Sequence, residues 1–141
     1  MAKVFWDTNL FIYLLEDSPE FAPAVDKLRR RMLQREDRLL TSTMTIGEIL
    51  VKPVASGNVG LLERYRSVFA SPALTVLSFD LAASEAYARI RQDRSIRPAD
   101  AIQLACAAAA EVDLFITNDD RLSQKNPPGV KFITSLTRAP I

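Results

Sequence analysis

Short β-favouring apolar runs alternate with helix-patterned segments along the whole of this 141-residue chain. The runs predict strands at 2–6, 38–42, 73–78, 113–118 and 130–134. Helical patterns occupy 8–16, 20–37, 45–52, 79–93 and 98–112, and a loop followed by a helix occupies 56–69. Pro53 is expected to stop the third helix, and Pro98 to open the last one. Because strands alternate with helices throughout, the sequence predicts one α/β sandwich with a parallel sheet covered on both faces.

Length and composition are those of a single domain spanning residues 1–141. The one cysteine, Cys106, lies in an apolar run and is expected in the core, so no disulfide framework exists within the chain. This fits a reducing cytoplasm. Asp7 interrupts the first apolar run, which argues against a signal peptide, and no run is long enough to span a bilayer. A cytoplasmic protein without a membrane partner is therefore expected.

The complete absence of histidine restricts the chemistry that this chain can perform. It excludes His-dependent serine and cysteine hydrolases, His-ligated zinc sites and ribonucleases that use paired imidazoles. Carboxylates, hydroxyls, Lys, Arg or a hard cation remain. The formal charge of +1 gives little net attraction for nucleic acid.

Four acidic residues occupy positions that parallel sheets commonly use for ligands. Asp7 follows the first predicted strand and Asp119 the fourth, while Glu48 and Asp100 lie early in helices. In open parallel sheets, ligands bind beyond the carboxyl ends of strands, where the strand order reverses. If the first and fourth strands are neighbours, Asp7 and Asp119 face each other across that crevice.

Three of these positions also have a purely structural interpretation. Thr45 and Glu48 match a capping box, Asp100 can complement a helix dipole, and either Asp119 or the adjacent Asp120 can be an N-cap.

Asp7 is harder to explain structurally, because apolar segments flank it on both sides. Burying an unpaired carboxylate is costly, and no Lys or Arg is an obvious partner. Other acids together with a divalent cation would satisfy it.

Four segments in succession resemble the motifs of the PIN-domain family, and more narrowly those of VapC-type toxins of toxin–antitoxin modules. They are VFWDTNLFIYLL, TSTMTIGEILVKP, IRPADAIQLACAAA and LFITNDDRL, and they cover essentially the whole chain in the right order. The resemblance implies a PIN-like three-layer sandwich with a five-stranded parallel sheet flanked by helices. It also implies a nuclease site that uses Mg²⁺ or Mn²⁺, ions that prefer oxygen ligands.

Matching these motifs residue by residue implies catalytic, metal-binding roles for four acids and supporting roles for two neutral residues. The acids are Asp7, Glu48, Asp100 and Asp119; Asn9 and Thr117 are the supporting residues. Many relatives carry a further acid two places beyond the fourth one, where this chain has Arg121. Asp120 is the only spare acid nearby, so both one and two metals remain open.

The implied function is that of an endoribonuclease, the toxin of a type II toxin–antitoxin system, which hydrolyses RNA with metal-activated water. A cognate antitoxin and a homodimer are the implied partners. Two alternatives are a PIN nuclease in RNA processing and a catalytically weak RNA-binding module. Among the candidate phosphate contacts, Arg97 is favoured because Asp100 is only three residues away; the others are Lys27, Arg29, Arg30, Arg31, Arg35, Arg91 and Arg94.

Overall fold

The computed structural model, which describes residues 1–141, contains one sheet of five parallel strands in the order β3-β2-β1-β4-β5. The strands are β1 (Lys3–Trp6), β2 (Arg38–Ser42), β3 (Leu74–Leu77), β4 (Leu114–Thr117) and β5 (Ile133–Ser135). The helices are α1 (Thr8–Leu15), α2 (Ala22–Gln34), α3 (Thr43–Ser56), α4 (Val59–Phe69), α5 (Leu81–Ile90), α6 (Pro98–Ala109) and α7 (Asp120–Ser123), with a 3-10 helix at Leu136–Arg138. The predicted five-stranded parallel sheet between helices is confirmed.

Alternation of side chains along the strands divides the core into two clusters, one on each face of the sheet. In β1, Val4 and Trp6 join the cluster that α1 and α2 cover, whereas Phe5 joins the cluster under α5 and α6. Phe5 also stacks on Phe115 of the neighbouring β4, with ring centroids 4.8 Å apart. The apolar strands are thus buried on both faces, as a parallel sheet requires. Cys106 is buried and unpaired, as expected.

The third helix does not stop at Pro53, which was a wrong expectation. Helix α3 continues through this buried proline to Ser56. An internal proline removes one helical hydrogen bond. Here one turn of helix remains beyond it, and packing of the helix compensates the loss. The helix ends instead where Gly57 adopts a left-handed conformation (φ 64°) and the amide of Asn58 bonds to the Pro53 carbonyl.

The last strand begins later than the sequence indicated, at Ile133 instead of residue 130. Pairing with β4 starts only where the Phe115 amide donates to the Phe132 carbonyl, after the Pro127–Gly129 turn. The short α7 was not predicted as a helix. Elsewhere the predicted helices and strands are present with small shifts at their ends, and no helix has the length and apolar character needed to cross a membrane.

Arg29 of α2 is a cation in largely apolar surroundings. It lines a recess of about 250 Å³ with Trp6, Phe11 and Leu14, and its Nη1 is buried without a hydrogen-bond partner. It has no acidic partner among the ion pairs of the structure, and burial lowers the pKa of its guanidinium.

Replacing Arg29 with methionine should therefore stabilise the isolated protein. Arg29→Met keeps the apolar stem and removes an uncompensated charge, so the melting temperature should rise by a few degrees. Arg30→Met is the control, because Arg30 is an exposed residue on the same helix and pairs with Asp26. Thermal unfolding followed by circular dichroism measures both variants. A drop in melting temperature for Arg29→Met would contradict this interpretation.

Candidate functional site

The strand order of the sheet reverses between β1 and β4. From β1 the chain continues through β2 and β3 on one side, then returns to place β4 and β5 on the other. Trp6 lies opposite Ile116, and the amide of Asp7 donates to the Ile116 carbonyl at 3.0 Å. The expectation that the first and fourth strands are neighbours is confirmed. Asp7 and the end of β4 therefore meet at the switch point, the usual place for a ligand in such sheets.

Asp7 is buried at this switch point and holds two hydrogen bonds. Its Oδ1 accepts from the Thr8 amide at 2.8 Å, and its Oδ2 accepts from the Thr117 hydroxyl at 2.7 Å. The pKa of Asp7 is raised to about 6, mainly by burial and also by the charges of Asp100 and Glu48, while the two hydrogen bonds oppose this rise. No Lys or Arg pairs with it. The carboxylate is thus oriented by hydrogen bonds while its charge remains uncompensated.

Glu48 does not form a capping box with Thr45. Ser42 is the N-cap of α3, and its hydroxyl accepts from the Met44 amide at 3.2 Å. Thr45 and Glu48 therefore lie inside the helix, and the exposed Glu48 accepts a 2.9 Å hydrogen bond from the Thr8 hydroxyl through its Oε1. The residue after Asp7 thereby orients the second acid.

A buried polar network behind these two acids was not found from the sequence. Gln103 of α6 donates to the Thr45 hydroxyl at 2.6 Å and contacts the Thr8 hydroxyl at 3.2 Å, and it accepts a short hydrogen bond from Ser42. Thr41 donates to Thr45 at 2.8 Å. The only sequence signal was Gln103 itself, a polar residue that is 1 % exposed within a nearly all-apolar run. The network connects α6, β2 and α3 to Thr8, the residue that donates a hydrogen bond to Glu48.

Asp100 lies half-buried in the first turn of α6. Burial raises its pKa, the charges of Asp119 and then Glu48 add to this effect, and Arg97 opposes it. Asp100 thus shares an electrostatic environment with the other acids.

Asp119 is the N-cap of α7, so its structural interpretation is correct. Its Oδ1 accepts from the amides of Arg121 and Leu122 at 3.0 and 3.4 Å, and its own amide donates to the Thr117 hydroxyl at 3.1 Å. Thr117 therefore bridges Asp7 and Asp119. Asp119 Oδ2 has no hydrogen-bond partner and is available to a ligand, so capping does not exclude a second role. The adjacent Asp120 is exposed.

The remaining candidates divide clearly. Arg97 lines a cavity of about 380 Å³ with Asp100 and Asp119, and none of the other proposed phosphate contacts does so. Asn9 is exposed and makes no side-chain hydrogen bond, whereas Thr117 is fully buried. Arg30 and Arg35 are engaged in ion pairs, and Arg91 donates to the Ile96 carbonyl.

The donor set fits a hard divalent cation in its chemistry. The candidate ligand atoms at the switch point are carboxylate and hydroxyl oxygens, and Asp7, Glu48 and Asp100 form no ion pair with a cation. Oxygen ligands of this kind suit Mg²⁺ or Mn²⁺. In this conformation no three acidic side chains lie close enough together to hold an ion. Side-chain movement would have to bring them together.

The buried Asp7 should give the metal-free protein a characteristic dependence on pH. An ordinary aspartate has a pKa of 3.8, and that of Asp7 is about 6 in the folded protein. Between these values the folded state binds more protons than the unfolded state, so the free energy of unfolding falls as pH rises. The loss is on the order of 3 kcal/mol for this group. Asp7→Asn should remove most of it.

Chemical denaturation in EDTA at about pH 4 and pH 7 measures this loss. Asp120→Asn is the control, because Asp120 is exposed and should leave the wild-type dependence in place. Identical pH profiles for wild type and Asp7→Asn would show that Asp7 ionises without cost.

Comparisons with known proteins identify the family and the fold of this chain. The family model described as PIN domain matches residues 4–126, which is most of the chain. No curated protein sequence matches significantly.

Three solved structures share the fold. The structure of VapBC2 from Rickettsia felis bound to a promoter DNA fragment matches with a TM-score of 0.74 and 15% identity, over 94% of this chain and 97% of that chain. DNA-bound VapBC from Salmonella typhimurium matches with a TM-score of 0.70 and 23% identity, over 96% of this chain and 99% of that chain. A toxin–antitoxin complex from Klebsiella pneumoniae matches with a TM-score of 0.65 and 20% identity, over 91% of this chain and 95% of that chain.

Proposed function

The chain belongs to the PIN domain family, and on that premise we propose that it is a metal-dependent endoribonuclease acting at the acidic cleft. The observation that carries the proposal is the arrangement of acids around the switch point. The four acids, Asp7, Glu48, Asp100 and Asp119, come from four separate segments. The charges of Asp100 and Glu48 raise the pKa of Asp7, and the charges of Asp119 and Glu48 raise the pKa of Asp100. A structural role would leave such repulsion without compensation, whereas cation binding relieves it.

The four acids are the proposed metal ligands. When Mg²⁺ or Mn²⁺ is bound, it supplies a Lewis acid for the phosphodiester and activates water for hydrolysis. The chain contributes orientation. Thr117 and the Thr8 amide fix the plane of the Asp7 carboxylate, and the Thr8 hydroxyl directs Glu48.

Two further residues have smaller proposed roles. Arg97 is a proposed substrate contact, because it lies beside Asp100 at the cavity. Asn9 is a proposed supporting residue only, because it makes no side-chain hydrogen bond in this conformation.

A matched pair of aspartate variants tests the proposed nuclease site. Asp119→Asn should lower RNA cleavage by at least about 100-fold with Mg²⁺ or Mn²⁺, because a ligand charge is lost. Asparagine is also a good N-cap, so α7 should remain intact. Asp120→Asn should keep most of the activity, since Asp120 is exposed.

Two readouts separate a metal ligand from a residue that matters only for folding. The first is cleavage of a labelled RNA with and without metal. The second is the rise in melting temperature on adding Mn²⁺, which Asp119→Asn should reduce and Asp120→Asn should preserve. If Asp120→Asn is inactive while Asp119→Asn cleaves normally, the assignment of the two aspartates is wrong. RNA that is bound but never cut by wild type would favour the weak binding module instead.

We also propose that the protein is the toxin of a toxin–antitoxin pair and that a cognate antitoxin binds it. The support is the similarity to chains of two VapBC complexes and a third toxin–antitoxin complex, over more than 90% of both chains in each case. A homodimer is proposed as well. Val51 and Val54 of α3 and Val59 of α4 are each more than 60% exposed and offer apolar surface for a partner.

Expression in a bacterial host tests the toxin role. Wild type should arrest growth and Asp119→Asn should not, because arrest requires cleavage. Co-expression of the antitoxin, sought as a small gene next to the one that encodes this protein, should restore growth. Cells that grow normally with active, soluble enzyme would favour a nuclease in RNA processing. Sedimentation at micromolar concentration tests the homodimer separately.

A further inference from the structure

The two flanks of the acidic cleft carry different charge. On the flank formed by α6 and α7, the 380 Å³ cavity beside Asp100 and Asp119 is also lined by three cations, Arg97, Arg121 and Lys125. A concave wall of cations next to a cluster of acids can bind an anion that the acids alone would repel.

Two of these cations have guanidinium groups without hydrogen bonds. Arg97 precedes α6 and makes neither a side-chain hydrogen bond nor an ion pair. Arg121 belongs to α7, and its Nε lies 3.8 Å from Asp119 Oδ1, beyond hydrogen-bond distance. Arginine's planar fork of donors matches phosphate oxygens in a bidentate manner. Two such groups from different segments therefore line one cavity with donors that make no hydrogen bond, and the only charge contact of either is the 3.8 Å approach of Arg121 to Asp119.

Lys125 has a structural role, because its ammonium group already contacts two residues of the loop before Arg97. It donates to the Ser95 hydroxyl at 2.6 Å and pairs with Asp93 at 3.4 Å. Arg91 donates to the Ile96 carbonyl at 2.8 Å in the same loop. These contacts hold the loop that carries Arg97 against the end of α7, so the backbone positions of Arg97 and Arg121 keep a fixed relation.

The opposite flank of the cleft has no free cation. Helix α1 contains neither Lys nor Arg, and α3 contains only Lys52. Lys52 pairs with Glu16 at 3.2 Å. A polyanion lying across the cleft thus meets free positive charge on one side only.

We infer that Arg97 and Arg121 form a phosphate-binding subsite for the nucleotide next to the scissile bond, and that single-stranded RNA is held on this flank alone. The inference rests on the proposed function, since it assumes that RNA occupies the acidic cleft. It adds Arg121 to the proposed substrate-binding residues and places the RNA contacts on one side of the scissile bond.

Binding in EDTA tests the subsite without cleavage. The probe is a dye-labelled single-stranded RNA of about 12 nucleotides, followed by fluorescence anisotropy over a series of NaCl concentrations. Arg97→Gln and Arg121→Gln should each weaken binding several-fold and reduce the slope of log Kd against log salt by about 0.7. In the double variant the same slope should fall by about 1.4. Arg121→Lys should retain the slope and recover part of the affinity, because it keeps charge but not the fork.

A charge-matched double variant is the control. Arg38→Gln with Arg89→Gln removes the same net charge from exposed positions that do not line the cavity. It should bind with the wild-type slope. If the control and the Arg97/Arg121 variant lose RNA affinity and salt dependence equally, the effect comes from net charge alone, and the proposed subsite is overturned.

One-sided contact is tested with two shortened RNAs once the cleavage position has been mapped with Mn²⁺. Each keeps the scissile bond and lacks the nucleotides on one side. KM should rise several-fold for only one of them, with kcat nearly unchanged, and the Arg97→Gln/Arg121→Gln variant should lose the difference. Equal KM values for both RNAs with wild type would overturn the inference while cleavage itself still supported the proposed function. A wild-type protein that neither binds nor cuts RNA would remove the proposed function.

Discussion

The hydrogen bond from the Thr117 hydroxyl to Asp7 joins the ends of two strands that are neighbours in the sheet but far apart in the chain. The same hydroxyl accepts from the Asp119 amide, so one buried side chain sets the positions of two acids. Serine, threonine or another short donor is required there, because an apolar residue would leave the buried Asp7 carboxylate without one of its two partners. The rest of the cleft is built outward from this contact through Thr8 and its hydrogen bond to Glu48.

The polar network around Gln103 explains how an acidic cleft can be both charged and rigid. Threonine hydroxyls and a buried amide satisfy one another, and they add no charge to a region that already carries repulsion. A lysine or arginine at position 103 would neutralise the acids and would also compete with any cation that binds them. Neutral donors instead orient Thr8, and through it Glu48, while the negative potential remains available to a metal ion.

The sequence revealed the strand order at the cleft only indirectly, yet it placed Asp7 and Asp119 correctly at strand ends and Asp100 in the first turn of a helix, whereas Glu48 lies one turn further into α3 than predicted. This worked because Asp7 and Asp119 follow apolar strands directly, and the carboxyl ends of parallel strands share one edge. Local patterns failed where tertiary packing decides. Packing carries α3 past Pro53, and the cap of that helix is Ser42 instead of the Thr45–Glu48 box. The Gln103 network was not predictable, because it joins residues from α1, β2, α3 and α6 that are distant in sequence.

The dispersed arrangement of the acids has a physical reason. Four carboxylates drawn together without a cation would repel one another strongly in a partly buried cleft. This repulsion would raise their pKa values and make ionisation costly. The fold avoids most of this cost by burying only Asp7 fully, leaving Asp100 half-buried and Glu48 exposed, and giving Asp119 two amide donors as a helix cap. That spacing is also why no three acids lie within ligating distance of one point. In the proposed metal site Asp7 would be the fixed ligand, whereas the exposed Glu48 could change rotamer at the cost of its hydrogen bond from Thr8. A cation would therefore gain its closest ligands by drawing the solvent-facing acids toward the buried one, and the ordering of these side chains would be part of the free energy of binding.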